Sequence, residues 1–476
     1  MALKIYNTLT RTKEEFVPLA PGEARIYVCG VTVYDLAHVG HARSALVFDV
    51  IQRYLRYKGY RVRYVKNFTD VDDKIIKRAQ EEGVPASGLA ERYIEEYRKD
   101  MAALGVQEPD VEPKATEHIP QMIRLVERLV AHGVAYRADG DVYFEVRRFP
   151  WYGRLSGKNI EELQAGARVE VDERKQDPLD FALWKASKPG EPAWESPWGP
   201  GRPGWHIECS AMSMHYLGES FDIHGGGEDL VFPHHENEIA QSEGCTGKPF
   251  VRYWIHNGFV NIAGQKMSKS EGNILTVKEL VRRYDPDVLR LYLLGTHYGN
   301  PLDFAEERVV EATRALERIR GLVEAADRLA VSGAPGPRRP ARPLHEIIDH
   351  RGRFEAAMDD DFNTPQAIGV LFDLTRVVQG LRTQVASGED AMGSFLGGIS
   401  ELLTLCRVLG LLESSARPAR AVDPDLQVRV ERLIQIRTEA RGRRDWALAD
   451  RIREELAQLG VVVEDTRTGT IWKLKP

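Results

Sequence analysis

The sequence is short of cysteine: 476 residues carry four thiols, Cys29, Cys209, Cys245 and Cys406. They are too few and too scattered for a disulfide framework, and reduced thiols fit a cytoplasmic protein. Long apolar runs are also lacking. No stretch of about 18 apolar residues occurs, so no membrane-spanning helix is expected. The opening MALKIYNTLTRTKEEF has no apolar core of the kind a secretion signal needs. Excess positive charge is missing as well. A net charge of −6 argues against indiscriminate coating of nucleic acid, yet leaves room for a local basic surface. There is no internal repeat. What remains is a globular composition, 43% hydrophobic and 29% charged, long enough for about three domains of roughly 150 residues.

The run RIYVC at 25–29 reads as a buried strand, and apolar residues at helical spacing predict a helix over 41–58, stopped by Gly59. The alternating YRVRYVKNF at 60–68 reads as the next strand. Strand, helix and strand with a crossover of this length form a parallel βαβ unit, so a ligand is expected beyond the carboxyl ends of the strands. Further helices are expected at 86–104, 119–132 and 205–217, with a strand at 250–260. Asp-Gly between alternating runs predicts a hairpin over 134–146. The segment 151–203, rich in Pro, Gly and Trp, reads as a loop-rich insertion, and 331–343 as a linker.

The stretch 221–245, FDIHGGGEDLVFPHHENEIAQSEGC, concentrates chemistry. Its glycine triplet, Gly225–Gly227, admits a ligand to the backbone. If Pro233 opens a helix, His234 and Glu238 lie at i and i+4 on one face. An imidazole and a carboxylate are half of a zinc site. Cys29, at the end of the first strand, and Cys209, in GWHIECSAM, are the cysteines placed to supply the rest. His235, at i and i+3 from Glu238, is the alternative imidazole. Cys245 reads as a bystander in a loop, and Cys406 as a buried small hydrophobe.

Two phosphate motifs flank that stretch. His38-Val39-Gly40-His41 lies between a strand and a helix, where N–H groups and two imidazoles can meet phosphate. Lys266-Met267-Ser268-Lys269-Ser270 sits in a loop between Gly264 and Gly272, where two lysines can neutralise a departing pyrophosphate. HVGH early and KMSKS late on a βαβ framework resemble the signature of class I aminoacyl-tRNA synthetases. That resemblance implies His38, His41, Lys266 and Lys269 as catalytic residues. It implies ATP contacts at His38, Gly40, His41, Gly227, Asp229 and Lys269, with Gly227 and Asp229 at the ribose.

CGVTVYDLAHVGH, NFTDVDDKIIKRA, GWHIECSAM, DIHGGGEDLVFPHHENEIAQSE, WIHNGFV and KMSKSEGN together resemble the cysteinyl-tRNA synthetase family, densely over 3–304 and more thinly beyond. The resemblance implies one Zn2+ per chain on Cys29, Cys209, His234 and Glu238, bound directly by the substrate thiol. It also implies ATP as substrate, accompanied by Mg2+, and L-cysteine and tRNA(Cys) as partners, in a monomer without a membrane. Gly30, Thr69 and Trp205 are implied as substrate contacts, Trp205 having ordinary packing as its plain alternative. A soft thiolate site separates cysteine from serine better than shape can, because near-isosteres differ by only about 10–200-fold in an apolar pocket. Ligases that join cysteine to an amino sugar share these motifs and are the rival reading; they are shorter at the C-terminus. Lys74-Ile75-Ile76-Lys77 resembles a lysine motif tied to persulfide formation with pyridoxal phosphate, although it reads more simply as a helix start.

The fold expected is α/β: a Rossmann-like parallel-sheet catalytic domain at 1–260 with an insertion at about 117–204, then the KMSKS and stem-contact region at 261–330. A helical bundle is expected at 344–412 and a small α+β anticodon-binding domain at 413–476. From Arg417 onward, 13 Lys and Arg face 10 Asp and Glu, a local +3. Arg437, Arg441, Arg443 and Arg444 beside Trp446 suit a single-stranded loop of RNA, arginine for phosphate and indole for a base. Their plain alternative is a solvated helix face with Trp446 in the core.

Overall fold

The run RIYVC becomes the strand Glu23–Val28, and its partner Arg61–Lys66 lies parallel to it across the helix Val39–Tyr57. Two later strands, Phe221–Gly227 and Val251–Asn257, join on the other side. The order is Val251–Asn257, Phe221–Gly227, Glu23–Val28, Arg61–Lys66, all parallel. Near-continuous burial of Phe221–Gly227 is what an inner strand covered on both faces requires. The order reverses between Glu23–Val28 and Phe221–Gly227, so a crevice opens there at the carboxyl ends. The computed structural model describes residues 2–159, 162, 174–262, 264–266, 274–331, 345–385, 389–413, 424–443, 445–466 and 469–474. Lys269 and most of the expected loop and linker fall outside them.

The insertion carries more structure than its composition suggests. Ala135–Ala138 and Asp141–Phe144 form the expected hairpin around Asp139-Gly140. Phe181–Ala186 and Gly201–Pro203 then extend it to a four-stranded antiparallel sheet. The loop-rich expectation for 151–203 is corrected by two strands. Phe181, Leu183 and Trp184 are buried, and that apolar run outweighs its Pro and Gly surroundings.

Helices Glu306–Val331, His345–Asp359, Thr364–Gln384 and Glu389–Val408 follow. The chain divides into two compact units, 1–412 and 413–476. Within the first, the later helices share one apolar core with the parallel sheet. Buried polar groups fix that contact: Arg290 pairs with Asp49 and donates to the Leu409 carbonyl at 2.6 Å, and Tyr54 donates to Asp359 at 2.7 Å. The second unit holds the helices Pro424–Gly442 and Trp446–Gln458 and the hairpin Val461–Thr466 with Gly469–Leu474. Asp445 caps the second helix by accepting the Leu448 N–H at 3.1 Å, which separates it from the first. Its core is small: Val430, Leu433, Ile452, Leu456 and Val461. Among the described residues no helix is long and apolar enough to cross a membrane.

Candidate functional site

Cys29 leaves the strand Glu23–Val28 at the crevice, its N–H donating to the Gly225 carbonyl at 3.1 Å. The next residue must be glycine, because a Cβ on Gly30 would overlap the Asn67 carbonyl oxygen. Gly225 is likewise pressed against the Phe48 ring, which seats the strand Phe221–Gly227 on the helix Val39–Tyr57. Cys209 lies on the second turn of the helix Trp205–Leu217 and points into the same crevice.

Pro233 is the first residue after the non-helical Phe232 and opens the helical path as expected, although its first turn is irregular. The Phe232–Pro233 peptide is cis, Val231–His235 is a wide irregular turn, and the regular helix runs Glu236–Thr246. The i and i+4 relation survives, because the helical path is continuous from Pro233 onward. His234 Nε2 is 3.1 Å from Glu238 Oε1. Cys245 belongs to the last turn of this helix, not to a loop, and is buried.

Ligand atoms of Cys29, Cys209, His234 and Glu238 all lie within 4.8 Å of one another. Cys29 Sγ is 3.5 Å from Cys209 Sγ and 3.2 Å from Glu238 Oε1. Zinc–ligand bonds of about 2.0–2.3 Å place tetrahedral ligand atoms roughly 3.3–3.8 Å apart, so two sulfurs, one nitrogen and one oxygen at these separations fit that ion. A second grouping, Cys29, His224, His235 and Glu238, meets the same distance test. His235 Nε2 is 3.3 Å from Cys29 Sγ and its Nδ1 is held by His256 at 2.7 Å, as the Nδ1 of His234 is held by His206; His256 in turn meets the Thr8 hydroxyl at 2.8 Å.

The electrostatics separate the four residues into donors and anions. Burial pushes the Cys29 thiol well up, and hydrogen bonding to Cys209 adds to it. At Cys209 burial opposes ionisation, but bonds from Cys29 and His234 override it and draw the thiol to about 6. Glu238 is held at about 2 despite its burial, chiefly by His224 and His234. His234 rises to about 10 against burial, through Cys209 and Glu238. Two anionic ligands thus face a protonated imidazole and a protonated thiol, whose protons a divalent metal would displace.

Three histidines that sequence reasoning passed over surround this cluster. His206 Nδ1 lies 2.9 Å from His234 Nδ1, and His224 Nε2 lies 2.9 Å from Glu238 Oε2. His256 completes the chain from His235. Each belongs to a quoted motif, GWHIEC, DIHGGG or WIHNGF, and metal ligands need outer partners of this type; that was the available signal.

The other expected residues are distributed as follows. Trp205, 37% exposed, covers His234 with ring centroids 4.3 Å apart. The Gly30 N–H donates to Asn67 Oδ1 at 2.9 Å, and the Thr69 hydroxyl to Glu208 Oε2 at 2.9 Å. Gly227 ends its strand and Asp229 is exposed on the short turn Glu228–Leu230. His38 and His41 stack at the start of the helix Val39–Tyr57, centroids 3.7 Å apart, and the His38 N–H donates to His41 Nδ1 at 3.2 Å; Gly40 lies between them. Val39 N donates to the Leu275 carbonyl and Val277 N to the Ala37 carbonyl, each at 2.9 Å. The chain just after KMSKS is therefore bonded to HVGH. Lys266 ends the short strand Gln265–Lys266, paired with Val260–Ile262. Lys74–Lys77 lies in the helix Asp73–Glu82, capped by Asp72, with Ile75 and Ile76 buried.

Known proteins resemble the chain over its whole length. The family described as "tRNA synthetases class I (C) catalytic domain" matches residues 15–314, a DALR domain matches 353–413, and "Cysteinyl-tRNA ligase anticodon binding domain" matches 423–472. A cysteine--tRNA ligase of Geobacter sulfurreducens is 55% identical over 100% of both chains, and one of Persephonella marina is 53% identical over 100% of both. Methionyl-tRNA synthetase of Mycobacterium tuberculosis, solved with methionyl-adenylate, shares the fold: TM-score 0.62 at 18% identity, covering 83% of this chain and 92% of that one.

Proposed function

The chain belongs to the cysteine--tRNA ligase family, and from that premise we propose that Cys29, Cys209, His234 and Glu238 hold one Zn2+ that selects the substrate thiol. The reaction has two steps. The carboxylate of L-cysteine attacks the α-phosphate of ATP, releasing pyrophosphate and leaving cysteinyl-adenylate. A ribose hydroxyl of the terminal adenosine of tRNA(Cys) then attacks the acyl carbon, and AMP departs.

The observation that carries the zinc reading is the buried cluster of two sulfurs, one nitrogen and one oxygen within 4.8 Å. Bound there, zinc would supply a soft Lewis acid that takes a thiolate in preference to a hydroxyl. Trp205, packed over His234, bounds the pocket for the amino acid beside the cluster; Gly30 and Thr69 shape its wall through their bonds to Asn67 and Glu208. His38, Gly40 and His41 receive the phosphates of ATP, accompanied by Mg2+, while Gly227 and Asp229 meet its ribose. Lys266 and Lys269 neutralise the leaving pyrophosphate. The chemistry needs no general base: positioning and charge stabilisation carry it.

Residues 344–412 brace the catalytic core, and 413–476 bind the anticodon loop through Arg441, Arg443 and Trp446. Trp446 is 57% exposed, as a stacking platform requires, whereas Arg437 is 7% exposed and belongs to the interior. A monomer in the cytoplasm is part of the same reading. The test is aminoacylation of a tRNA with a GCA anticodon beside a cysteine-dependent assay with glucosaminyl-inositol, together with zinc content. About one zinc per chain and charging of the tRNA alone are expected. Charging of the sugar instead would transfer the chain to the amino-sugar ligases, and cysteine activation by zinc-free protein would sink the metal assignment.

A further inference from the structure

The strand Arg61–Lys66 is an edge of the parallel sheet, and a cleft lies between it, the helix Ala86–Ala103 and the segment 106–112. Backbone bonds sew that segment to the strand: Lys66 N to the Val111 carbonyl at 3.0 Å and Val111 N to the Tyr64 carbonyl at 3.2 Å. Asp110 adds a third by accepting the Tyr64 N–H at 2.7 Å. These bonds fix the walls. The cleft holds about 440 Å³ of atom-free space, part of it open to solvent. None of its lining residues belongs to the thiol cluster or to the nucleotide motifs.

Lys66 lines it and is only 8% exposed. Its ammonium donates to the Tyr97 hydroxyl and stands 5.0 Å from the centroid of that ring, and among the described residues it has no carboxylate partner. A buried ammonium is costly unless an anion is beside it, and one neutral acceptor leaves two of its three donors unused. Met101 and Val106 add apolar surface to the same walls. At the rim, Arg98 is engaged by Glu112 at 2.9 Å, and Glu108 is exposed. With Glu112 paired to Arg98, Glu108 still leaves the rim net negative, which disfavours a dianion or polyphosphate more than a single negative charge on an apolar body.

We propose that this cleft binds a small aromatic monocarboxylate, its carboxylate on Lys66 Nζ and its ring against Tyr97 and Met101. A neutral amide of the same shape can accept from Lys66 only a weaker bond without the opposite charge, and inorganic phosphate has no body to bury.

The test is calorimetric titration of the full-length protein with phenylacetate, the amino-acid site being saturated with L-cysteine. One phenylacetate per chain is expected. Phenylacetamide and phosphate should each bind at least roughly tenfold more weakly, the factor a charge-assisted hydrogen bond carries. Lys66→Met should weaken phenylacetate by a similar factor in protein whose circular dichroism matches wild type. The proposal is overturned if phenylacetate does not bind, if phenylacetamide or phosphate binds as tightly, or if Lys66→Met binds phenylacetate undiminished. Should Lys66→Met not fold, the three ligands on wild-type protein decide the matter alone.

Discussion

His206 Nδ1 lies 2.9 Å from His234 Nδ1. Only one of the two nitrogens can carry the proton of that bond, so His206 fixes the tautomer of His234 and aims its other nitrogen at Glu238, 3.1 Å away. Burial keeps His206 neutral, its pKa well below the usual histidine range. His206→Ala should therefore leave a metal site with all four ligands but a freer imidazole. Zinc affinity is expected to fall by roughly 10–100-fold, the range for outer partners of metal ligands. Competition with a chromogenic chelator measures it. Unchanged affinity would show that Trp205 alone orients the ring.

Loss of a ligand should cost more. Cys209→Ser replaces a sulfur drawn to about 6 by its neighbours with a hydroxyl that stays protonated. Zinc retention and cysteine-dependent ATP–pyrophosphate exchange should both fall by more than roughly 100-fold, beyond the outer-partner range. Cys406→Ser is the control, since that thiol is buried in the apolar core far along the chain and burial pushes it up to about 12. It should keep full zinc content while losing stability.

These contrasts bear on what the sequence could tell. The first βαβ unit was legible because 25–29 and 60–68 are short β-branched runs around an amphipathic helix, whereas the inner strand Phe221–Gly227 was not read as a strand, its glycine triplet drawing the reading toward a ligand loop. His234 and Glu238 were legible as a pair because their spacing survives the irregular turn before Glu236. The outer histidines were not, since nothing in local spacing says that His206, on one helix, meets His234 near the start of another. The strand Phe181–Ala186 was missed for a different reason: Pro and Gly on both sides outvoted six residues whose burial depends on partners elsewhere in the chain. For Lys269, and for the linker at 332–343, the expectation concerns residues outside those described.

Asp100 gives a pH prediction. It is 5% exposed, its Oδ2 has no hydrogen-bond partner among the described residues, and burial, with the charge of Glu96 behind it, raises its carboxyl to about 6. An unfolded aspartate titrates near about 3.9. The folded state therefore holds the proton more tightly, and the stability from this group is fully present below about pH 4 and lost as pH rises through 6. Asp100→Asn should match wild type near pH 4 and exceed it by roughly 1–2 kcal/mol above pH 7. Thermal unfolding of both proteins across that range checks it; a constant difference at every pH would refute the assignment.

Glu236 supplies the last prediction. Its buried carboxylate accepts the N–H groups of Gly153 and Ser156, each at 2.9 Å, while the adjacent Asn237 accepts the Tyr152 hydroxyl at 2.6 Å. The start of the helix that carries Glu238 is thereby bolted to the segment 151–157, which presents Trp151 at 65% exposure. In Glu236→Gln one acceptor oxygen becomes an N–H donor facing another N–H, so at least one backbone donor is left without a partner. That costs on the order of 2–3 kcal/mol, and local opening of the segment should become roughly 30–150-fold more frequent. When opening is fast relative to cleavage, proteolysis follows the population of the open form. Chymotrypsin should therefore cut after Trp151 or Tyr152 faster by about that factor, while zinc content stays at the wild-type level because none of the four ligands is touched. Faster cutting with loss of zinc would mean that segment and metal cluster open together, and an unchanged rate would mean that Tyr152 and Asn237 suffice to hold the segment down.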